Sequence, residues 1–353
     1  MKFAVGYQQI EDGGDLLTHI VRDYREYIHE VYFPWVFMPS GRAELGCRKG
    51  ERNWSAQAQL EEDLRTFRSM GLALDLVLNA NCYGRLAVSR SLEREICSLM
   101  DYLNDAIGGV EAVTTASLAV AHILKKHFPA VEVRASVNMR IGTVSAMEYV
   151  ADLFDGFYVQ RDFNRDLNRL EELKIWADTH HKRLCFLVNS GCLPFCSGQS
   201  FHDNLVAHER EIDETENMTD WSPFVCWNRF REKKNWVSIL RGTWIRPEDL
   251  HHYDGIFSIV KLATRMHACP RIVIAAYCSR SYRGNLLDLL EPGFVPAFAP
   301  YVLDNARFPP DWFERTSSCR QHCGHCKYCD KVFRGLCVPV TCLLGGAAGI
   351  LGP

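Results

Sequence analysis

The feature that most constrains the fold is a regular alternation of short apolar segments with longer amphipathic segments. About eight such pairs follow one another in roughly the first 290 residues, and the pair Ala73–Leu78 and Leu92–Ala106 is typical. The apolar segments have the length of buried strands, and the amphipathic segments carry apolar residues at helical spacing. Parallel strands need crossover helices between them, so the pattern predicts an α/β fold with a parallel sheet.

Eight strand–helix units most naturally close into a (β/α)8 TIM-barrel-like domain, and an open doubly wound sheet is the alternative. No GxGxxG sequence follows the first predicted strand, Phe3–Tyr7, which argues against a dinucleotide-binding Rossmann domain. We expect the barrel to span residues 1–300. A small cysteine-rich metal-binding lobe then occupies 301–337, with its cysteines after the Pro309-Pro310 break, and an apolar tail occupies 338–353.

The composition excludes several classes of protein. Hydrophobic residues make up 47% and charged residues 24% of the 353 residues, which is the balance of an ordinary globular protein. The net charge of −3 gives no reason to expect bulk nucleic-acid binding. Apolar stretches are too short for a secretory signal or a membrane span, so we expect a cytoplasmic protein without membrane association. Fifteen cysteines then indicate metal ligands rather than disulfides.

Polar and thiol side chains recur where the predicted strands end. They are Asn79, Asn81, Cys82, Asn138, Arg140, Gln160, Arg161, Asn189 and Cys192. In a barrel of this type the active site lies at the carboxyl ends of the strands, so these residues predict a site there. The alternative is that asparagine simply ends strands through its turn chemistry.

A group of cysteines surrounds one late strand, in the sequence LCFLVNSGCLPFC and the loop beyond it. They are Cys185, Cys192, Cys196 and Cys226. Gathered thiolates favour a soft metal or an iron–sulfur cluster. With Cys192, Cys196 and Cys226 as ligands, the fourth position is open to Cys185, Cys82, Cys47 or a substrate. An open iron would bind an oxygen-containing ligand, whereas four cysteine ligands would favour electron transfer.

Radical SAM chemistry is not expected, because it needs CxxxCxxC on an early barrel loop and Gln199 stands at the third position here.

A second group of cysteines follows the barrel, in SSCRQHCGHCKYC. It consists of Cys319, Cys323, Cys326 and Cys329. Four thiols in so short a segment predict a metal site, either a second iron–sulfur cluster or zinc.

Histidines and arginines near the first cysteine group are candidates for binding and catalysis. His202 and His208 lie on the helix predicted after Cys196, but their spacing of six places them on different faces. Each is either a proton donor or ligand, or a surface or packing residue. Arg140, Arg161 and Arg265 are candidate anchors for an anionic substrate. The sequence has no GxSxG or HExxH motif of the common hydrolases.

Several segments resemble the collagenase-like peptidases of unassigned mechanism, family U32. They are Ser40-Gly41-Arg42 after the second strand, LVLNANC, LCFLVNSGCLPFC, WIRPEDL, FSIVKLATR and YRGNLLDLL. The resemblance implies a TIM barrel related to oxygen-independent hydroxylases, which act on a quinone precursor, transfer RNA or ribosomal RNA, with prephenate as the oxygen source in some cases. It also implies that Cys192 and Cys196 are ligands of a 4Fe–4S cluster, with Cys185 and Cys226 as the others.

The resulting hypothesis is an oxygen-sensitive iron–sulfur enzyme, an oxidoreductase of hydroxylase type with a small aromatic, nucleic-acid or peptide substrate. Its candidate catalytic residues are Arg140, Arg161, His202 and His208. One alternative is a non-catalytic iron–sulfur or zinc protein that binds a peptide or a related protein subunit. Another is a metal-assisted peptidase. An open iron site would favour the enzyme over the binding protein.

Overall fold

The computed structural model describes residues 1–9, 15–36, 38–42, 47–48, 51–319 and 323–344. Within these ranges, eight parallel strands close into a barrel in which each strand pairs with the next along the chain and the last pairs with the first. The strands are β1 (Lys2–Gly6), β2 (Ile28–Phe33), β3 (Ala73–Leu78), β4 (Ala112–Thr115), β5 (Glu132–Ala135), β6 (Gly156–Tyr158), β7 (Arg183–Leu187) and β8 (Ile259–Lys261). The predicted (β/α)8 barrel is confirmed, and the doubly wound alternative is wrong.

Helices alternate with these strands and continue after them. The α-helices are α1 (Leu17–Asp23), α2 (Trp54–Ser69), α3 (Arg90–Ile107), α4 (Leu118–His127), α5 (Val144–Glu148), α6 (Leu167–Thr179), α7 (Gln199–Ala207), α8 (Glu209–Asp213), α9 (Val225–Phe230), α10 (Pro270–Ser279), α11 (Val295–Phe298), α12 (Trp312–Ser317), α13 (Tyr328–Leu336) and α14 (Thr341–Leu344). The 3-10 helices are Gly84–Leu86, Val137–Met139, Arg161–Phe163, Lys233–Arg241, Pro247–Tyr253, Leu286–Leu289 and Asn305–Arg307. None of the described helices is long and apolar enough to cross a membrane.

Side chains alternate across the barrel wall, as the two-residue period of a strand requires. In β3, Leu74, Leu76 and Leu78 belong to the core between the strands and the helices. Asp75 points the other way, into the barrel, where Thr114 donates a hydrogen bond to each of its carboxylate oxygens at 2.9 and 2.8 Å. The apolar outer face explains why this strand was predicted with its observed bounds.

The barrel interior holds buried charges. The Arg134 guanidinium lies 2.7 Å from a Glu30 carboxylate oxygen, 2.9 Å from Glu132 and 3.9 Å from Asp75. Glu30 and Asp75 are fully buried, and Arg134 is 2% exposed. Burial raises the pKa of Asp75 to about 6, although Arg134 and Lys261 oppose that change. The pairing is needed because an isolated charge in such a place is strongly unfavourable.

A second hydrophobic core gathers residues from both sides of position 300. Its largest side chains include Trp236, Trp244, Phe298, Trp312 and Leu336. A two-stranded antiparallel sheet of β9 (Tyr301–Leu303) and β10 (Cys337–Pro339) belongs to the same region. The Arg165 guanidinium lies 4.5 Å from the Trp244 ring centre and so connects the barrel to this core. The division of the chain at 300 and 337 stays a prediction.

Some predicted boundaries differ from the structure for physical reasons. The apolar run of the sequence alone predicts the second strand at Val31–Phe37, but the strand spans Ile28–Phe33 because His29 and Glu30 make its start resemble a loop. Glu30 is tolerated there because Arg134 neutralises it inside the barrel. The acidic run at 209–216 has the composition of a solvated loop, yet Glu209–Asp213 is helical. Cys226 was also placed on a loop, and it lies in α9.

Replacement of Arg134 tests whether the interior ion network holds the barrel together. Arg134→Met removes the cation and leaves the Glu30 and Asp75 carboxylates buried without it. We expect the free energy of unfolding in urea to fall by about 3–5 kcal/mol. Lys126→Met, which removes an exposed ion pair with Glu93, is the matched control and should cost at most about 1 kcal/mol. Equal losses in the two variants would contradict a stabilising role for the network.

Candidate functional site

Helix α7 contacts the loops at the carboxyl ends of several barrel strands. Arg140, which follows β5, donates hydrogen bonds to Ser200 at 3.2 Å and to the Asp203 carboxylate at 3.1 Å. Asp203 is 8% exposed, whereas the Arg140 side chain is 33% exposed, so the carboxylate is shielded from water and its partner is only partly shielded. Arg140 was predicted as a catalytic substrate anchor. The structure places its guanidinium on α7, where it holds the helix.

A pocket of about 580 Å³ opens beside α7. Three of the predicted cysteines line it, namely Cys192, Cys196 and Cys226. A fourth cysteine, Cys269, also lines it. The remaining wall is mostly apolar, with a few charged and polar residues, namely Arg42, Gln199, His202, His267, Asp288 and Glu291. A concave site of this size with a few convergent polar groups suits a small molecule.

Backbone packing fixes the loop that carries the first two thiols. A Cβ at Gly191 would lie 2.1 Å from the Pro292 carbonyl oxygen, so only glycine permits this approach. Gly191 N–H also donates to the Glu291 carbonyl at 2.9 Å. Asn189 is fully buried and its side chain bonds to the backbone of Ala263 at 2.6 and 3.0 Å. The loop is therefore held to the segments that follow β8.

Cys192 and Cys196 act on the third predicted thiol of the pocket. Burial, with Cys192 and Cys196 contributing in the same direction, raises the pKa of the Cys226 thiol to about 11. Arg161 is 7% exposed and donates to Cys192 Sγ at 3.4 Å and to Ser190 Oγ at 3.5 Å. The predicted residue Arg161 therefore reaches the thiols and supplies positive charge beside them.

A second cation, Arg42, stands in the same pocket. Its Nε lies 3.0 Å from a Glu291 carboxylate oxygen. Burial alone would lower the pKa of Arg42, but Glu291 and Cys192 outweigh it and the pKa is raised. Among the described residues, the other carboxylate oxygen of Glu291 is buried without a hydrogen-bond partner. The pair thus offers an ionised guanidinium and an unsatisfied acceptor at the pocket wall.

Cys185 does not join the other three thiols. It is 1% exposed and its charged neighbours are Arg134, Glu30, Glu132 and Arg183, which belong to the barrel interior and its amino-terminal side. Burial raises its pKa to about 12. Cys185 is separated from the other thiols because side chains alternate along β7 and residue 185 faces into the barrel. The side chain of Cys47, another candidate, lies outside the described residues.

The two predicted histidines lie in different surroundings, as their spacing required. His202 lines the pocket, and its ring packs edge-on against Phe224 at 5.2 Å between ring centres. Burial lowers its pKa, and Arg42 and Arg161 lower it further, so its neutral form is favoured. His208 does not line this pocket and lies beside Cys82 instead.

Other polar residues at the strand ends hold loops. Asn79 accepts a hydrogen bond from Gly41 N–H at 2.9 Å, and Asn138 donates to the Asn79 carbonyl at 3.3 Å. Arg265 donates to Ser40 Oγ at 2.9 Å. Burial lowers the pKa of Arg265 to about 10, with Arg42 adding to that effect. These side chains shape the loop after β2 that carries Arg42.

The chemistry of Cys192, Cys196 and Cys226 fits an iron–sulfur cluster. Three thiolates with two nearby guanidinium groups provide soft ligands and compensate a cluster's negative charge. In the described part of the chain, no three His, Cys, Asp or Glu side chains are arranged to hold a single metal ion. A cluster spreads its ligands over several irons, so it needs wider spacing than one ion does.

The cysteine-rich segment after the barrel is partly described. Cys329 lies in α13, and burial raises the pKa of its thiol, with Cys319 and Cys323 contributing in the same direction. Arg241 and Arg165 act in the opposite direction on that pKa. At least three thiols of the predicted metal site are therefore electrostatic neighbours. Residues 320–322, which include His322, lie outside the described ranges.

Sequence reasoning missed several pocket residues, among them Arg42, Cys269 and Glu291, and a neighbour of Cys82 outside the pocket. Arg42 was noted only as part of a family-like segment, and Glu291 comes from a position far along the chain that carries no motif. Cys82 was considered as a cluster ligand, but its contact with His208 could not be found from spacing. These omissions concern side chains brought together by loops that pack across the barrel mouth.

Comparison with known proteins was consistent with the fold. No family model matches the chain. It is 26% identical over 322 residues to the "Uncharacterized protease MJ1657" of Methanocaldococcus jannaschii, covering 90% of this chain and 91% of that protein. Among solved structures it resembles the U32 peptidase Mk0906, with a TM-score of 0.52 and 17% identity, over 74% of this chain and 91% of the other. The structural match shows a shared barrel fold.

Replacement of Arg140 tests its role in holding α7. Arg140→Met leaves the nearly buried Asp203 carboxylate without its ion-pair partner, which costs about 1–3 kcal/mol locally. We expect faster hydrogen exchange of the α7 amides and little change elsewhere in the barrel. Lys174→Met, which removes an exposed ion pair on α6, is the control. Unchanged protection of α7 would show that Arg140 does not hold this helix.

Proposed function

We propose that this chain, which is related to the U32 peptidase family, is an iron–sulfur enzyme that carries out hydroxylase-type redox chemistry on a small anionic substrate. The observation that carries the proposal is the convergence of Cys192, Cys196 and Cys226 in one pocket with Arg161 beside them. Three cysteine ligands leave one position of a 4Fe–4S cluster for a substrate oxygen.

The cluster, when bound, would supply an electron-accepting and Lewis-acidic iron at that open position. Arg161 would balance the charge of the thiolates through Cys192. Arg42, held by Glu291, would bind an anionic group of the substrate, and the unsatisfied Glu291 oxygen would accept a hydrogen bond from it. His202 lines the same pocket and its pKa is lowered by burial and by Arg42 and Arg161, which favours the neutral ring and suits it to accept a proton.

This assignment changes the roles first expected from the sequence. Arg161 and His202 remain the proposed catalytic residues, and Arg42 replaces Arg140 as the substrate anchor. The proposed ligands are Cys192, Cys196 and Cys226, and Cys185 is left out because it faces the barrel interior. A small aromatic compound, a base of a nucleic acid or a short peptide segment fits a pocket of about 580 Å³.

The alternative is a non-catalytic iron–sulfur or zinc protein that binds a peptide or a related subunit. Four protein ligands around the cluster would favour it, and Cys269, which also lines the pocket, is the candidate for the fourth. Three cysteine ligands with an open iron would favour the enzyme. A metal-assisted peptidase would need three ligands around one ion, and the described residues offer no such group. A chain with fifteen cysteines is best maintained in a reducing compartment, so we place the protein in the cytoplasm.

The cluster is tested by counting iron, sulfide and zinc per chain after anaerobic purification. We expect the wild-type barrel site to hold about four irons. Cys192→Ala/Cys196→Ala should lose them because two of three ligands are removed, and Cys226→Ala should weaken or abolish binding.

Two single variants serve as matched controls. Cys185→Ala and Cys278→Ala remove thiols outside the pocket and should retain the irons. Loss of iron in Cys185→Ala would overturn the three-ligand assignment. Wild-type protein that contains only zinc or no metal would overturn the redox function and leave the binding protein as the better explanation.

The appended cysteine segment is tested in the same way. We propose that Cys319, Cys323, Cys326 and Cys329 hold a second iron–sulfur cluster or a zinc ion. Cys326→Ala/Cys329→Ala in the background of Cys192→Ala/Cys196→Ala should remove the metal that remains, either about four irons or about one zinc. If that metal stays bound after both ligand pairs are removed, the segment is not its site.

A further inference from the structure

The end of α7 that lies away from the pocket brings a cysteine, a histidine and a glutamate together. Cys82 follows β3, whereas His208 ends α7 and Glu211 lies in α8. The His208 ring packs against the loop that carries Cys82, and its proximity lowers the pKa of the Cys82 thiol. On the other side of that ring, Nδ1 lies 3.2 Å from a Glu211 carboxylate oxygen. The three side chains form one line of contacts from carboxylate through imidazole to thiol.

The backbone around Cys82 supports this arrangement. Gly84 N–H donates to Cys82 Sγ at 3.3 Å. A Cβ built at Gly84 would lie 3.5 Å from His208 Cε1, so the loop after β3 packs against the imidazole. Cys82 lies at the carboxyl end of a barrel strand, on the face that carries active sites in this fold. It is partly exposed.

Electrostatics distinguish Cys82 from other thiols of the chain. The neighbouring His208 ring lowers the pKa of Cys82, and the Gly84 N–H adds to that effect. The same contact with Cys82 raises the pKa of His208. Glu211 is the other charged group that faces the pair in the described part of the chain, and it raises both pKa values slightly. Burial raises the pKa of the thiols of Cys97, Cys185, Cys226, Cys278, Cys329 and Cys337.

We infer that Cys82, His208 and Glu211 form a nucleophilic thiol site that takes an acyl group from an ester or a thioester. An activated thiol needs a base within hydrogen-bond reach and a third group that orients the base, and the observed contacts supply both. Esters and thioesters are the substrate class because thiolates attack them without the strong leaving-group protonation that an amide needs. The site is separate from the pocket thiols and does not depend on a cluster.

The reaction balances without an oxidant or a reductant. The Cys82 sulfur bonds to the acyl carbon, and the bond from that carbon to the leaving oxygen or sulfur breaks. The His208 imidazolium gives its proton to the leaving group. His208 then takes a proton from water as the water oxygen attacks the enzyme thioester, which releases a carboxylic acid and restores the starting pair. Glu211 keeps the imidazole oriented through Nδ1 and is a positioning residue.

The first test follows alkylation of Cys82 by iodoacetamide in the full chain, with each thiol identified by mass spectrometry across a pH series. We expect Cys82 near neutral pH to react about tenfold or more faster than the half-buried Cys278, with an apparent pKa below the ordinary value of about 8.5. His208→Gln should move that pKa up to the ordinary value, and Glu211→Gln should have a smaller effect. An ordinary profile for Cys82 that does not respond to His208→Gln would overturn the inference.

The second test uses p-nitrophenyl acetate as the acyl donor. We expect one equivalent of nitrophenol to be released rapidly and the Cys82 peptide to gain the mass of one acetyl group. Cys82→Ser should abolish both signals, and Cys278→Ser should retain them. Absence of acetyl on Cys82 in the wild type would overturn the acyl-transfer role. Loss of iron in Cys82→Ser would also overturn it, since Cys82 would then be a cluster ligand.

Discussion

The contact on which the structure most depends is the ion network of Arg134 with Glu30 and Asp75 inside the barrel. Charged side chains there are fully removed from water, so each must be neutralised by a neighbour on another strand. Such pairing links β2, β3 and β5 across the interior and is possible only when the sheet is closed. It also fills the space that a ligand would need, which confines the chemistry to the barrel mouth.

At that mouth, α7 separates two sets of reactive side chains. On one side it borders the pocket of Cys192, Cys196 and Cys226, with Arg42 and Arg161 as nearby cations. At its far end His208 contacts Cys82. The pairing of Arg140 with Asp203 ties the helix to the loop after β5, so both sets depend on the same short element. A residue first expected to bind substrate therefore acts on the position of α7.

The structural similarity to a U32 peptidase and the arrangement of thiols support different conclusions, the first about the fold and the second about the chemistry. A shared barrel and a relative that is 26% identical establish common architecture. A shared fold does not establish the reaction, which has to be inferred from the side chains of this chain. The pocket contains soft ligands and cations, which favour a cluster, and the Cys82–His208 pair contains an activated thiol, which favours acyl transfer. Two kinds of thiol chemistry can coexist because burial and hydrogen bonding differ between the two places.

The sequence by itself determined the barrel, because strand–helix alternation with buried strands such as Ala73–Leu78 has few other solutions. It also determined that thiols and arginines would gather at the strand ends, since parallel strands all end on one face. Only the tertiary structure decided which of them meet. Cys185 was separated from Cys192 by the two-residue alternation of β7, and Glu291 and Arg42 were paired by loops about 250 residues apart in the chain. Such pairings depend on loop packing across the mouth, which no local pattern encodes.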